Sequence, residues 1–239
     1  MKKINFFAIY AAIFLGIVHL SQPLTAQTKP IAIVVKTTGI SYHIKGKKKT
    51  PIRVKDFVQS GDIIHAKKNA LVHLQFSSGI IFSLGSPQSV TEVKINNFIS
   101  KQGSTKIQME VYKGSLASST EKLSKKDYIE VVTPTAIAGV RGTEFLVDVE
   151  KESTEVLVND GLVSVSDIEK EKEVMVEPGK KVVATTTGLQ LEIIKKFEKQ
   201  RFEIFKALED SKQKNIEALK EQVERDRKNL ESVKNPFEN

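Results

Sequence analysis

The run IEVVTPTAIAGVRGTEFLVDVE, Ile129 to Glu150, decides how this chain is read. Its first residues alternate apolar with polar and stop at Pro134, which cannot donate to a strand ladder and so ends or edges a strand. Ala136, Ala138, Gly139 and Gly142 follow, small enough for two backbones to approach closely. From Glu144 the alternation resumes, with Phe145, Val147 and Val149 on one face and Glu144, Leu146 and Asp148 on the other. The expectation is a strand, a tight small-residue crossing, and a second strand. Arg141 emerges at the crossing. With no nucleophile or histidine beside it, the run assigns it a structural role, its guanidinium donating to backbone carbonyls or to Glu144.

The same texture extends outward in both directions. ALVHLQF, Ala70 to Phe76, sets Leu71, His73 and Gln75 against Val72, Leu74 and Phe76, then turns at Ser77-Ser78-Gly79. KIQMEVYKG, TEVLVNDGLVSVSD and EVMVEPGKKVVATTTG continue the two-residue period between Gly, Pro, Asn and Asp punctuation. Ten or more short strands with no helix between them predict an all-β domain over 27–188. Gly39, Gly114 and Gly161 each stand at a turn before a short alternating strand, at irregular spacing. Such a chain coils back over itself, either as a short β-solenoid or as a two-sheet sandwich.

Both ends differ from this middle. Lys2 and Lys3 precede an uncharged run, Phe6 to Leu20, that is shorter than the roughly 20 residues of a comfortable membrane span. Small residues follow up to Ala26, so residues 1–26 read as a secretory signal peptide and the protein as exported, periplasmic or at the cell surface. An uncleaved membrane anchor is the alternative. From Leu189 to 235 there is no Gly or Pro, and Glu, Lys, Leu and Gln dominate. Ile194, Phe197, Ile204 and Leu208 form one apolar stripe, and Ile216, Leu219, Val223, Leu230 and Val233 a second, narrower one. A long charged helix is expected here. Its first part would dock on the β domain, and its second would extend as a coiled-coil seam able to self-associate.

The net charge is +8. Lysines cluster at Lys45, Lys47, Lys48 and Lys49, at Lys67–Lys68, at Lys125–Lys126 and at Lys180–Lys181, beside turn residues. Lys47, Lys48 and Lys49 are the candidate contacts to an anionic lipid or glycan surface. Nucleic acid is set aside, because the chain reads as exported, the lysine tips carry no interleaved aromatics, and no reader motif is present.

The central run resembles the FecR domain family, whose Thr-Pro, small apolar residues and Arg-Gly-Thr before Phe-x-Val are matched by Thr133, Pro134, Ala138, Arg141, Gly142, Thr143, Glu144, Phe145 and Val147. Upstream, Gly61, Asp62, Ile64, Phe76 and Gly79 match the family's Gly-Asp-x-Ile turn and the strands after it. The resemblance runs from Gly61 to about Gly188 and reaches back towards Val34. It implies a non-catalytic, extracytoplasmic β-rich module coiled like a short solenoid. The family's best-known members are membrane-spanning anti-sigma regulators. This chain is expected to differ from them, with five residues before its apolar run and a charged helix in place of a receptor-contacting domain.

Recognisable catalytic chemistry is absent. Without cysteine there is no disulfide, thiol nucleophile or Zn–Cys site. The spacing of His43, His65 and His73 fits no metal motif, and there is no G-x-S-x-G elbow or Walker loop. Catalytic, cofactor and metal residues are therefore set at none. The expected function is binding to an envelope protein or cell-wall component, with anionic-surface adhesion and envelope sensing as alternatives.

Overall fold

The computed structural model describes residues 30–228 except 77, 100–104, 120–127, 141, 197, 209, 211–212, 215–216, 218–220, 222–223 and 226–227. The described strands are β1 (Ala32–Thr38), β2 (Ser41–Lys45), β3 (Lys48–Pro51), β4 (Phe57–Val58), β5 (Ile63–Ala66), β6 (Leu71–Phe76), β7 (Ile81–Leu84) and β8 (Thr91–Ile99). They continue with β9 (Thr105–Ser119), β10 (Tyr128–Val132), β11 (Ile137–Val140), β12 (Glu144–Val149), β13 (Ser153–Asp160), β14 (Val163–Ser166), β15 (Glu173–Val176), β16 (Lys180–Thr185) and β17 (Gly188–Ile193).

Strand registers divide these into two ladders that share one strand. The first runs β4-β1-β6-β7-β9-β12-β13-β16-β17. The second runs β3-β2-β5-β8-β9-β10-β11-β14-β15. The chain shuttles between them as it advances, so early strands lie at one end of the stack and late strands at the other. Among the described residues β9–β10 is the parallel pairing; the rest are antiparallel. β9 belongs to both ladders because it bends at Gly114. Residues before the bend pair with β8 and β10, and residues after it with β7 and β12.

One apolar core lies between the ladders. Val34, Val72, Leu74, Phe82, Leu116, Phe145, Val147, Val156 and Val182 enter from the first, and Ile64, Val93, Ile95, Met109, Ile129, Val131, Val140 and Val165 from the second. β-Branched residues at every second position suit a half-buried pleated surface, and each such side chain withdrawn from water contributes about 1.5–3 kcal/mol. The arrangement is the two-sheet form of the expectation; the described residues do not show a closed solenoid.

The C-terminal expectation is corrected in part. Leu189 to Ile193 is a strand, not the start of a helix: β17 pairs in register with β16, Leu191 against Val182 and Leu189 against Ala184. Residues with good helix propensity are drawn into a sheet because Leu189, Leu191 and Ile193 also alternate with Gln190 and Glu192. Helix begins later, as a 3₁₀ turn at Glu198–Phe202 continued by α-helical residues 203–208. A long helix and its coiled-coil seam are not shown; most of 209–239 lies outside the described residues. So do the expected signal segment 1–26, Phe197 and Arg141. Among the described residues no helix is long and apolar enough to cross a membrane.

Candidate functional site

The small-residue run is more than a crossing: Ile137–Val140 is itself strand β11, hairpinned on β10 and paired with β14, and the chain changes ladder between β11 and β12. Thr133 closes a turn over Pro134: its hydroxyl donates to the Ala136 carbonyl at 2.9 Å and accepts the Ala136 N–H at 3.0 Å. A buried hydroxyl relay follows, Thr135 donating to Thr154 at 2.8 Å and Thr154 to Thr133 at 2.9 Å, which ties the turn to β13. Buried hydroxyls satisfied in this way fix one geometry instead of costing stability. Gly142 has φ +69° and Thr143 is fully buried. Phe145 and Val147 fill the core, while Leu146 points to the opposite side of the sheet. Glu144 accepts from Ser119 Oγ at 3.1 Å and from Asn159 Nδ2 at 2.7 Å. Glu144 thus ties β12 to β9 and β13.

Asp62 is a second structural knot. It is 5% exposed and stands 2.7 Å from His43 Nε2 and 3.4 Å from Lys45 Nζ, and it accepts the Gln59 N–H at 2.6 Å. Burial alone would raise its pKa. The hydrogen bonds from His43 and Gln59 and the charges of His43 and Lys45 outweigh burial and hold it below the usual value.

The outer face of the first ladder carries the C-terminal arm. Ile194, Phe205 and Leu208 are buried against Ile81, Ala117, Leu146 and Leu157, with Phe202 and Ile204 packed alongside. An ion network clamps the arm's start. Lys181, 6% exposed, reaches Glu198 at 2.6 Å, Glu155 at 3.1 Å and Glu192 at 3.6 Å. Arg201 bridges Glu155 at 2.9 Å and Asp148. Burial works against the Lys181 charge, but the carboxylates around it raise its pKa. Glu198 is lowered first by its bond from Lys181. The arm is held by complementary charge around a small apolar footprint.

Two shallow grooves flank these parts. One, of 600 Å³, lies where β9 changes ladder and is lined by Tyr112, Lys113, Gly114, Pro134, Asp148 and Lys151, among others. The other, of 580 Å³, lies over Gly139 between Tyr128, Leu162 and Met175. Gly139 from the central run thus leaves a dip on the outer face of the second ladder.

Residues 62–164 match the model of the FecR protein family. They are a FecR domain. The match starts at the Asp62 knot, spans the Thr-Pro turn and Arg-Gly-Thr, and ends in β14. No curated protein matches the chain. Two crystal structures of a protein described as a candidate anti-sigma factor from Parabacteroides distasonis are similar at 19% identity and a TM-score of 0.44. The similarity covers 55% of this chain and 59% of that one, so the chain spans less than two thirds of that protein's length.

The FecR motif residues are not gathered into one pocket. Thr133 and Pro134 lie in the turn between β10 and β11, Gly142, Thr143, Glu144 and Phe145 at the start of β12, and Gly61 and Asp62 in the turn before β5. Among the described residues no group of three His, Cys, Asp or Glu is placed to hold a metal ion. Lys47, Lys48 and Lys49 are exposed at and beside the edge strand β3, with Lys49 Nζ 4.2 Å from the Tyr42 ring centroid. The His43–Asp62 pair and the Lys181–Arg201 network were missed from sequence. Their paired members lie 11 to 53 residues apart, and of them Asp62 alone belongs to a motif. A signal for the arm's seat did exist: three consecutive apolar residues at Ile80–Phe82, Phe145–Val147 and Val156–Val158 mark strands covered on both faces.

Proposed function

We propose that the chain is a non-enzymatic interaction module of the bacterial cell envelope. In this reading the FecR domain is a rigid scaffold, and the C-terminal arm is the element that meets another envelope protein or cell-wall component. The observation that carries the reading is the seating of the arm: an apolar strip of few residues, ringed by Lys181, Arg201 and four carboxylates, on an otherwise complete sandwich. An arm held this way can be exchanged for a partner's segment without unfolding the core. Membership of the FecR family favours a place in envelope signalling, with the arm standing where a receptor contact would be. Support for a binding role over catalysis comes from the polar side chains, which are spent on holding strands together: the Asp62 knot, the threonine relay and the Lys181 network all close on themselves. Crosslinking in intact cells, followed by purification, should recover one discrete envelope partner. Repeated recovery of none would count against the proposal.

A further inference from the structure

The net positive charge is concentrated in one short segment. Residues 31–70 hold nine Lys and Arg against two acidic residues, Asp56 and Asp62, and the first 30 residues hold three lysines and no acid. Residues 71–239 therefore sum to −2, although the whole chain is +8. Both acids of the basic segment are engaged. Asp62 is buried on His43, and Asp56 accepts the Arg53 N–H at 2.8 Å.

The fold gathers these charges at one end of the stack. β3 is the edge of one ladder and β4 the edge of the other, and the segment 52–56 joins them across the end of the core, which Ile52 closes from inside. Outward from this strip stand Lys48, Lys49, Arg53 and Lys55, all exposed. Among them are two apolar side chains with no cover, Val54 at 49% and Phe57 at 60% exposure. The chain also enters here. The Ile31 N–H donates to the Val58 carbonyl at 2.8 Å, and the Val34 N–H to the Asp56 carbonyl at 2.9 Å. Between Leu20, the end of the uncharged run, and Pro30 lie nine residues, which reach at most about 32 Å when extended.

We infer that this end face docks on an anionic lipid bilayer. Basic side chains bring it to the headgroups, and Val54 and Phe57 enter the interface between them. A sulfated or phosphorylated glycan would use the lysines but has no use for an exposed phenylalanine at their centre. A second copy of the chain is the other rival, since Asp167, Glu169 and Glu171 stand, with Lys170 and Lys172, in the loop between β14 and β15 at the far end. The apolar pair Val54 and Phe57 among the basic side chains favours the membrane, and in the uncleaved-anchor reading the apolar run leads out of this same end. The inference does not depend on what the C-terminal arm binds.

The test compares sedimentation of the full chain with vesicles of phosphatidylglycerol and phosphatidylcholine against vesicles of phosphatidylcholine alone. An inserted apolar run would bind both, so the ratio between them isolates the face. Each basic side chain near an anionic surface is worth roughly a fivefold gain in partitioning. Changing Lys47, Lys48 and Lys49 together to Ala should therefore lower the anionic preference by roughly a hundredfold. Phe57→Ser, at an exposed position outside the core, should lower binding to the anionic vesicles by about tenfold. Raising the salt concentration should weaken it in the wild type and less in the triple variant. Equal binding to both vesicles, an anionic preference unchanged by the triple variant, or anionic-vesicle binding unchanged by Phe57→Ser would overturn the inference. So would lysine-dependent retention on heparin without vesicle binding, which would assign the face to a glycan. Concentration-dependent self-association lost in the same variants, again without vesicle binding, would assign it to a second copy.

Discussion

Gly114 is the residue on which the two sheets turn. With φ +81°, it sits where β9 leaves one ladder for the other, and a Cβ there would stand 2.6 Å from Thr91 Cα and 2.7 Å from the Val90 carbonyl. Neither the conformation nor the space admits a side chain. Gly161 and Gly39 make the same close approach, to Gly142–Thr143 and to Asn69–Ala70. The irregular glycine pattern in the sequence is therefore a set of crossings between sheets. Gly114→Ala should cost at least about 2 kcal/mol in chemical denaturation. A variant as stable as the wild type would show that β9 need not bend there. His73 acts through protonation. It is fully buried on β6, and burial, followed by the charge of Lys36, pushes its pKa down from 6.5 to about 4. The unfolded chain then binds the extra proton, so stability is complete above about pH 6.5 and falls as the pH drops towards 4, by about 3 kcal/mol in total. Asp62 is lowered as well, so its contribution is lost only at pH values below its ordinary 3.8, outside this window. Equilibrium unfolding between pH 4 and 7 should show the loss, and His73→Phe should flatten it.

At the scale of elements, legibility followed periodicity. The strands were readable because Val, Ile and Leu recur at every second residue, and the Thr-Pro turn because proline ends a strand; the small residues after it, read as a crossing, form strand β11. The pairing of β9 with partners in both sheets was not readable, since one strand with a single glycine looks like any other. The boundary at Leu189 was misread because LQLEI satisfies helix propensity and strand alternation at once, and only the vacant edge of β16 decides between them. The arm's docking stripe was legible in Ile194, Ile204 and Leu208, but its charge clamp was not, because Asp148, Glu155 and Lys181 come from three separate strands. Lys181→Met removes the centre of that clamp, leaving Glu198 without its ion-pair partner and Glu155 with Arg201 alone. Arm docking should weaken by about 2 kcal/mol, discounted for the partners' partial exposure. Hydrogen exchange at 203–208 should speed up while β7 and β12 stay protected. Equal slowing or speeding of both regions would mean that arm and sandwich open as one unit.

At the scale of the molecule, what is shared with the family and what is particular to this chain occupy different places. The FecR match takes the middle of the stack, from Asp62 to Ser164. The basic end face precedes it in sequence, and the arm follows it but packs back on β7, β9, β12 and β13 of the matched residues. The family frame therefore holds apart two surfaces of opposite design, one basic and open, the other apolar and covered. Such a frame suits a bridge between a surface and a partner, and under the proposed function the partner should be met at the arm. The most direct test places a photo-crosslinking residue in intact cells at Glu203 or Lys206, exposed on the arm, and for comparison at Glu173, exposed on β15. A single discrete envelope adduct from the arm positions, absent from Glu173, is the expected result. Adducts of the same kind from all three positions, or none from the arm, would contradict the assignment of the arm as the binding element.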